Sequence, residues 1–137
     1  MGTSVYVTGT GIISAIGNNI SESLNSFKEH RSGVGEIHHL KTRHHDVFPL
    51  AEVKYSNEEL ARITGLPPSL SRTILLSYFA ARQAKESIPD EIFSKYKTGF
   101  ISASSVGGMD KTEFFFEDFM LDPKSGDLRM VQHHDCG

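Results

Sequence analysis

Three groups of residues in this 137-residue chain have types and spacings that chemistry would need. The first is Gly9-Thr10-Gly11-Ile12-Ile13-Ser14, which follows a β-branched run. A G-x-G-x-x-G loop leading into a helix would cradle a pyrophosphate on backbone amides. Here Ser14 stands in place of the third glycine, the nearest helix-capping signal lies later at Asn19, and only Glu36 matches the acidic ribose partner. The stretch therefore reads as a tight structural turn. The second group is the histidines, six of seven of which form the doublets His38-His39, His44-His45 and His133-His134. Neighbouring side chains diverge, so a metal would need one histidine from each doublet brought together by the fold; a solvated polar loop is the simpler reading, and no metal is assigned. The third is Cys136, beside Asp135 and close to His134. A nucleophilic thiolate needs a base or a helix N-terminus to lower its pKa and an oxyanion hole to act against. One residue follows Cys136, so it reads as an ordinary thiol.

The elements that would position these residues follow from periodicity and caps. Val5-Tyr6-Val7-Thr8 predicts a strand covered on both faces. Asn19 and Glu22 have the spacing of a capping box, with Ile20, Leu24 and Phe27 on one helical stripe, and that helix should stop near Ser32-Gly33. Residues 34–50 read as surface loop, with a short edge strand possible over 51–54. Ser56 and Glu59 form a second capping box for a short helix ending at Gly65. Residues 70–88 are apolar over more than one stripe and predict a helix buried on most sides, terminated by Pro89. Residues 99–103 read as a second central strand entering a small-residue turn, with an acidic and aromatic helix over 110–120. Three consecutive phenylalanines, Phe114 to Phe116, cannot all turn inward, so some should meet a partner or another part of the same protein. Strands separated by helical crossovers point to a layered α/β fold with a mainly parallel sheet, the two strands near neighbours and helix 70–88 packed on them.

Composition bounds the function. With 14 Lys plus Arg against 17 Asp plus Glu, the net charge of −3 speaks against a broad nucleic-acid or membrane surface. No stretch approaches the roughly 20 apolar residues of a membrane helix, the start lacks the features of a signal peptide, and a single cysteine suits a reducing compartment. A cytoplasmic location is expected.

The stretch VYVTGTGIISAIGNNISESLNSFKEHRSGVGEI resembles the amino-terminal opening of β-ketoacyl-acyl carrier protein synthases. It combines a V-x-V-T-G-x-G strand end, Ser-x-x-Gly at Ser14 to Gly17, one helix, and Ser-Gly-Val-Gly at Ser32 to Gly35. LSRTILLSYFAARQA is similar to that family's M-D-R…A-x-x-A-x-x-E/Q-A helix, and ISASSVGGM to its strand and Gly-x-Gly-Gly loop. The three matches cover about residues 3–110 in the family's order.

The resemblance implies the amino-terminal portion of a thiolase-like α/β/α/β/α fold, residues 1–137 forming one incomplete half of a condensing enzyme that is usually a homodimer. Such acyltransferases act in fatty acid or polyketide-type synthesis. They take an acyl chain from the phosphopantetheine of acyl carrier protein and condense it with a malonyl-carrier, with no cofactor or metal. The family's nucleophile lies in a T-A-C-[ST] context, which does not occur here, and its two catalytic histidines would lie further on. No catalytic residue is therefore assigned in this chain, and by itself it is expected to be inactive. By resemblance Val106 borders the acyl pocket, with Ser105 replacing the first glycine of its loop, and Arg62 and Arg72 are the candidates for docking the acidic carrier. The alternative is a non-catalytic thiolase-fold partner, a chain-length subunit whose cysteine is replaced.

Overall fold

Helices account for nearly all of the regular structure in the computed structural model, which describes residues 4–105 and 107–131. The helices are α1 (Ile20–Lys28), α2 (Asn57–Thr64), α3 (Arg72–Glu86), α4 (Asp90–Lys95) and α5 (Met109–Leu121), followed by a 3-10 turn at Leu128–Met130.

Each of the first three helices starts at its capping residue. Asn19 accepts from the Glu22 N–H, and the Glu22 carboxylate returns to the Asn18 N–H at 2.8 Å rather than to the cap's own amide. Ser56 and Glu59 complete a reciprocal capping box, and Gly65 ends α2 in the left-handed region at φ 75°. Ser71 accepts from the Ile74 N–H to open α3, which runs from 72 to 86 rather than over the full 70–88. Helix α1 stops at Lys28, before the expected Ser32-Gly33. The Arg31 N–H bonds the Ser26 carbonyl and the His30 N–H bonds the Phe27 carbonyl, with His30 at φ 53°. That is a Schellman closure with histidine in the position glycine usually fills, so the polar Glu29-His30-Arg31 run turns the chain early.

The core is small. Leu60 and Ala61 of α2 and Leu75 of α3 are buried, with Ile13, Tyr55, Leu70 and Phe79 packed around them and the Tyr55 and Phe79 rings 6.0 Å apart.

The expected strands are not formed among the described residues, where only two isolated bridges occur, Ser14 with Gly17 and Val34 with Ala51. The latter is all that appears of the edge strand expected at 51–54. A strand requires a neighbour about 4.8 Å away to accept and donate along its length, and a central one also needs cover on both faces. Segments 5–8 and 99–103 have neither: Val5 is 93% and Ile101 96% exposed. The adjacency of the two strands expected from the sequence is therefore not seen in this chain.

The helical faces also differ from expectation. On α1 the buried residues are Ser23 and Ser26, while Leu24 and Phe27 of the apolar stripe face solvent. The small side chains allow the 14–17 turn to come close, and Ser26 Oγ donates to the Ile16 carbonyl at 2.6 Å. On α3 only Leu75 is buried, and Ile74 and Tyr78 are exposed. Helix α4 adds to the elements expected from periodicity. Pro89 at its cap with Asp90 and Glu91 in the first turn is a start signal, read from the sequence only as the end of α3.

Candidate functional site

The glycine loop is held against α3. A Cβ on Gly9 would lie 2.0 Å from the Ala84 carbonyl oxygen, and one on Gly11 would lie 1.9 Å from that of Ala80. Only glycine permits this approach, and only small residues on the facing helix leave room for it. Gln83 stands between the two alanines in the same stretch of α3. Its Oε1 accepts from the Ile12 N–H at 3.4 Å and its Nε2 donates to the Asn18 carbonyl at 2.8 Å, tying the loop and the residue before the α1 cap to one side chain. Next to it, Ser14 and Gly17 close a tight turn through both backbone bonds, at 2.9 and 3.3 Å. A Cβ on Gly33 would lie 2.7 Å from the Ala15 side chain, so the second glycine cluster packs on the first. Gly9, Gly11, Gly17 and Gly33 thus meet neighbouring protein rather than open a phosphate cradle, while Gly35 faces open space.

Arg72, named above as a carrier-docking candidate, is turned inward. Its guanidinium donates to Asn57 Oδ1 at 2.9 Å and to the carbonyls of Val53 and Tyr55 at 3.0 and 2.9 Å. Its N–H donates to Asp110 Oδ2 at 3.0 Å, so a carboxylate from α5 satisfies one of the free amides at the start of α3. Lysine is one compact cation and cannot reach three acceptors as the planar fork does. Arg72→Lys is therefore expected to cost about 2 kcal/mol of unfolding free energy, read by urea denaturation. Arg62, the other docking candidate, is exposed in the last turn of α2. Val106, the acyl-pocket candidate, and the residues 133–136 lie outside the described residues.

A cleft of about 650 Å³ opens between segment 39–53 and helices α3 and α5. His39, Lys41 and Glu52 stand on one wall; Leu76, Phe114 and Glu117 are on the other, and Arg72 and Asp110 also line it. The lining carries carboxylates, His39 and the cations Lys41 and Arg72, with no hydroxyl or thiol among its described residues. Glu52 organises the first wall. Its carboxylate accepts from the N–H groups of His38, His39 and Leu40, the last two at 3.1 Å. Partial burial pushes this carboxyl upward, but the three amides and the nearby His39 outweigh burial and hold it below its ordinary value.

His38 and His39 have ring centroids 6.5 Å apart, and His39 Nε2 lies 3.0 Å from the Lys54 carbonyl, so that nitrogen carries the proton. No group of three or more His, Cys, Asp or Glu able to hold a metal occurs among the described residues, and no described helix is long and apolar enough to cross a membrane.

Sequence reasoning did not single out Glu52 or Asp110, and it placed Gln83 only within the helix motif, at the E/Q position. Gln83 carried a signal, a polar residue between two alanines on a helix rich in small side chains. Glu52 and Asp110 carried none, because their partners lie 12–14 and 38 residues away. The chain matches no protein-family model and no curated protein.

Proposed function

We propose that this chain is the amino-terminal part of a β-ketoacyl-acyl carrier protein synthase, a thiolase-like α/β condensing enzyme. The complete protein would act in the cytoplasm as a homodimer, joining an acyl primer to a malonyl-carrier. The observation that carries the reading is the contact between two stretches of the sequence that resemble that family. The glycines of V-x-V-T-G-x-G rest on the alanines of the A-A-R-Q-A helix, and Gln83 at its E/Q position bonds Ile12 within the glycine loop and Asn18 just before α1. Residues about 70 positions apart thus fit each other by shape and hydrogen bonding, which gives the pattern a physical basis.

The uncovered apolar segments support the same reading. Val5, Val7, Phe100 and Ile101 belong to runs of strand-forming composition and stand in solvent. A sheet built with further strands would bury them, at about 25 cal/mol per Å² of apolar area removed from water. The carrier would dock at exposed cations such as Arg62, whereas the guanidinium of Arg72 is committed to the chain itself. Covalent acyl transfer needs a thiolate beside an oxyanion hole, and no cysteine lies among the described residues.

The test is acyl transfer from radiolabelled acyl-carrier to the purified chain, with its mass followed by light scattering. The expected result is no bound label and a mass above that of one 15.2 kDa chain, because the uncovered faces associate. Stoichiometric labelling with turnover, or a stable monomer, contradicts the reading.

A further inference from the structure

We propose that residues 35–50 form a strap over the cleft against α3 and α5, latched shut by the Glu52 carboxylate and released when that carboxyl takes up a proton. The strap is pinned at its base, where Val34 bridges Ala51 and the Gly35 N–H donates to the Leu50 carbonyl at 3.1 Å. Between these ends, Glu52 fastens the first arm of the strap by gathering three consecutive backbone amides, those of His38, His39 and Leu40. His39 adds its ring bond to the Lys54 carbonyl. The same residues form a wall of the cleft, since His39, Leu40, Lys41 and Glu52 all line it. Opening the latch therefore moves a wall of the cleft while leaving α2 and α3 in place.

An ionised carboxylate accepts at both oxygens, whereas a protonated one gives up acceptor capacity and places a donor before amides that are themselves donors. Because the amides hold the Glu52 carboxyl below its ordinary 4.5, closure is complete above that value and is lost as the pH falls through the lowered one. The other charges around the cleft are His39 and Lys41 on the strap, Arg72 on α3, and Asp110, Glu113 and Glu117 on α5. Of these, His39 acts on Glu52 and favours its ionised form.

The experiment is hydrogen exchange of the full chain from pH 5.5 downward, read by mass spectrometry on peptides spanning 37–41 and 73–80 and corrected for intrinsic rates. Protection of 38–40 is expected to fall by up to about tenfold per pH unit below 4.5, while that of α3 stays level. In Glu52→Gln, which keeps the shape but not the charge, the strap should be less protected than in the wild-type chain above pH 4.5, converge with it at lower pH and show no such slope. Two results overturn the latch: strap protection that holds level in the wild-type chain, or a loss that runs in parallel with α3. A Glu52→Gln chain with the wild-type slope does so as well. The wild-type titration stands alone should that variant fail to fold.

Discussion

Gly11→Val lowers the unfolding free energy by about 3 kcal/mol, seen as a fall in the urea midpoint at unchanged slope. Valine would place its Cβ 1.9 Å from the Ala80 carbonyl oxygen and 2.9 Å from the Ala84 amide nitrogen. Both are backbone atoms, so no rotamer relieves the clash and α3 itself must move. Moving α3 breaks the Gln83 bonds to Ile12 and Asn18 and disturbs Leu75, so the cost reaches the upper end for overpacking. A second substitution distinguishes this from a side-chain clash. Adding Ala80→Gly leaves the carbonyl where it is and does not restore stability; full rescue would show that the loop does not lie against the helix backbone.

Leu75→Ala costs about 3 kcal/mol, within the 2–5 typical of a buried leucine. Leu75 has no exposed surface, and with Leu60 it makes up the whole set of large, fully buried side chains among the described residues. A loss of that size is a large part of the 5–15 kcal/mol that a domain ordinarily has, and this core is smaller than most. Phe27→Ala provides the contrast. Phe27 is 65% exposed despite its place on the apolar stripe of α1, so truncating it changes unfolding by less than about 0.5 kcal/mol and instead reduces association. An effect of Phe27→Ala equal to that of Leu75→Ala would place α1 the other way round.

The parts of this structure that the sequence discloses are those set by local chemistry. Caps at Asn19 and Ser56 and the left-handed stop at Gly65 act within four residues, and the helices begin or end there. What it does not disclose depends on partners. The stripe of Ile20, Leu24 and Phe27 shows which face of α1 is apolar, but burial needs a surface to meet it, and in this chain Ser23 and Ser26 meet one first. Val5 and Ile101 carry strand propensity without ladder partners among the described residues, so propensity alone leaves them irregular. For the site, the resemblance marked Arg72 as a docking cation because it is basic, while the structure commits it to Asn57, Val53 and Tyr55. Basic character was legible, and the acceptors, 15 to 19 residues away, were not.

The most direct test of the central claim is the sequence of the native transcript beyond the codon for Gly137. The account predicts an open reading frame that continues in phase, reaches a T-A-C-[ST] motif and then supplies two further histidines. A continuation with that cysteine replaced would keep the fold but remove the condensing activity proposed for the complete protein. A stop codon directly after Gly137, or a continuation without that pattern, would contradict the account.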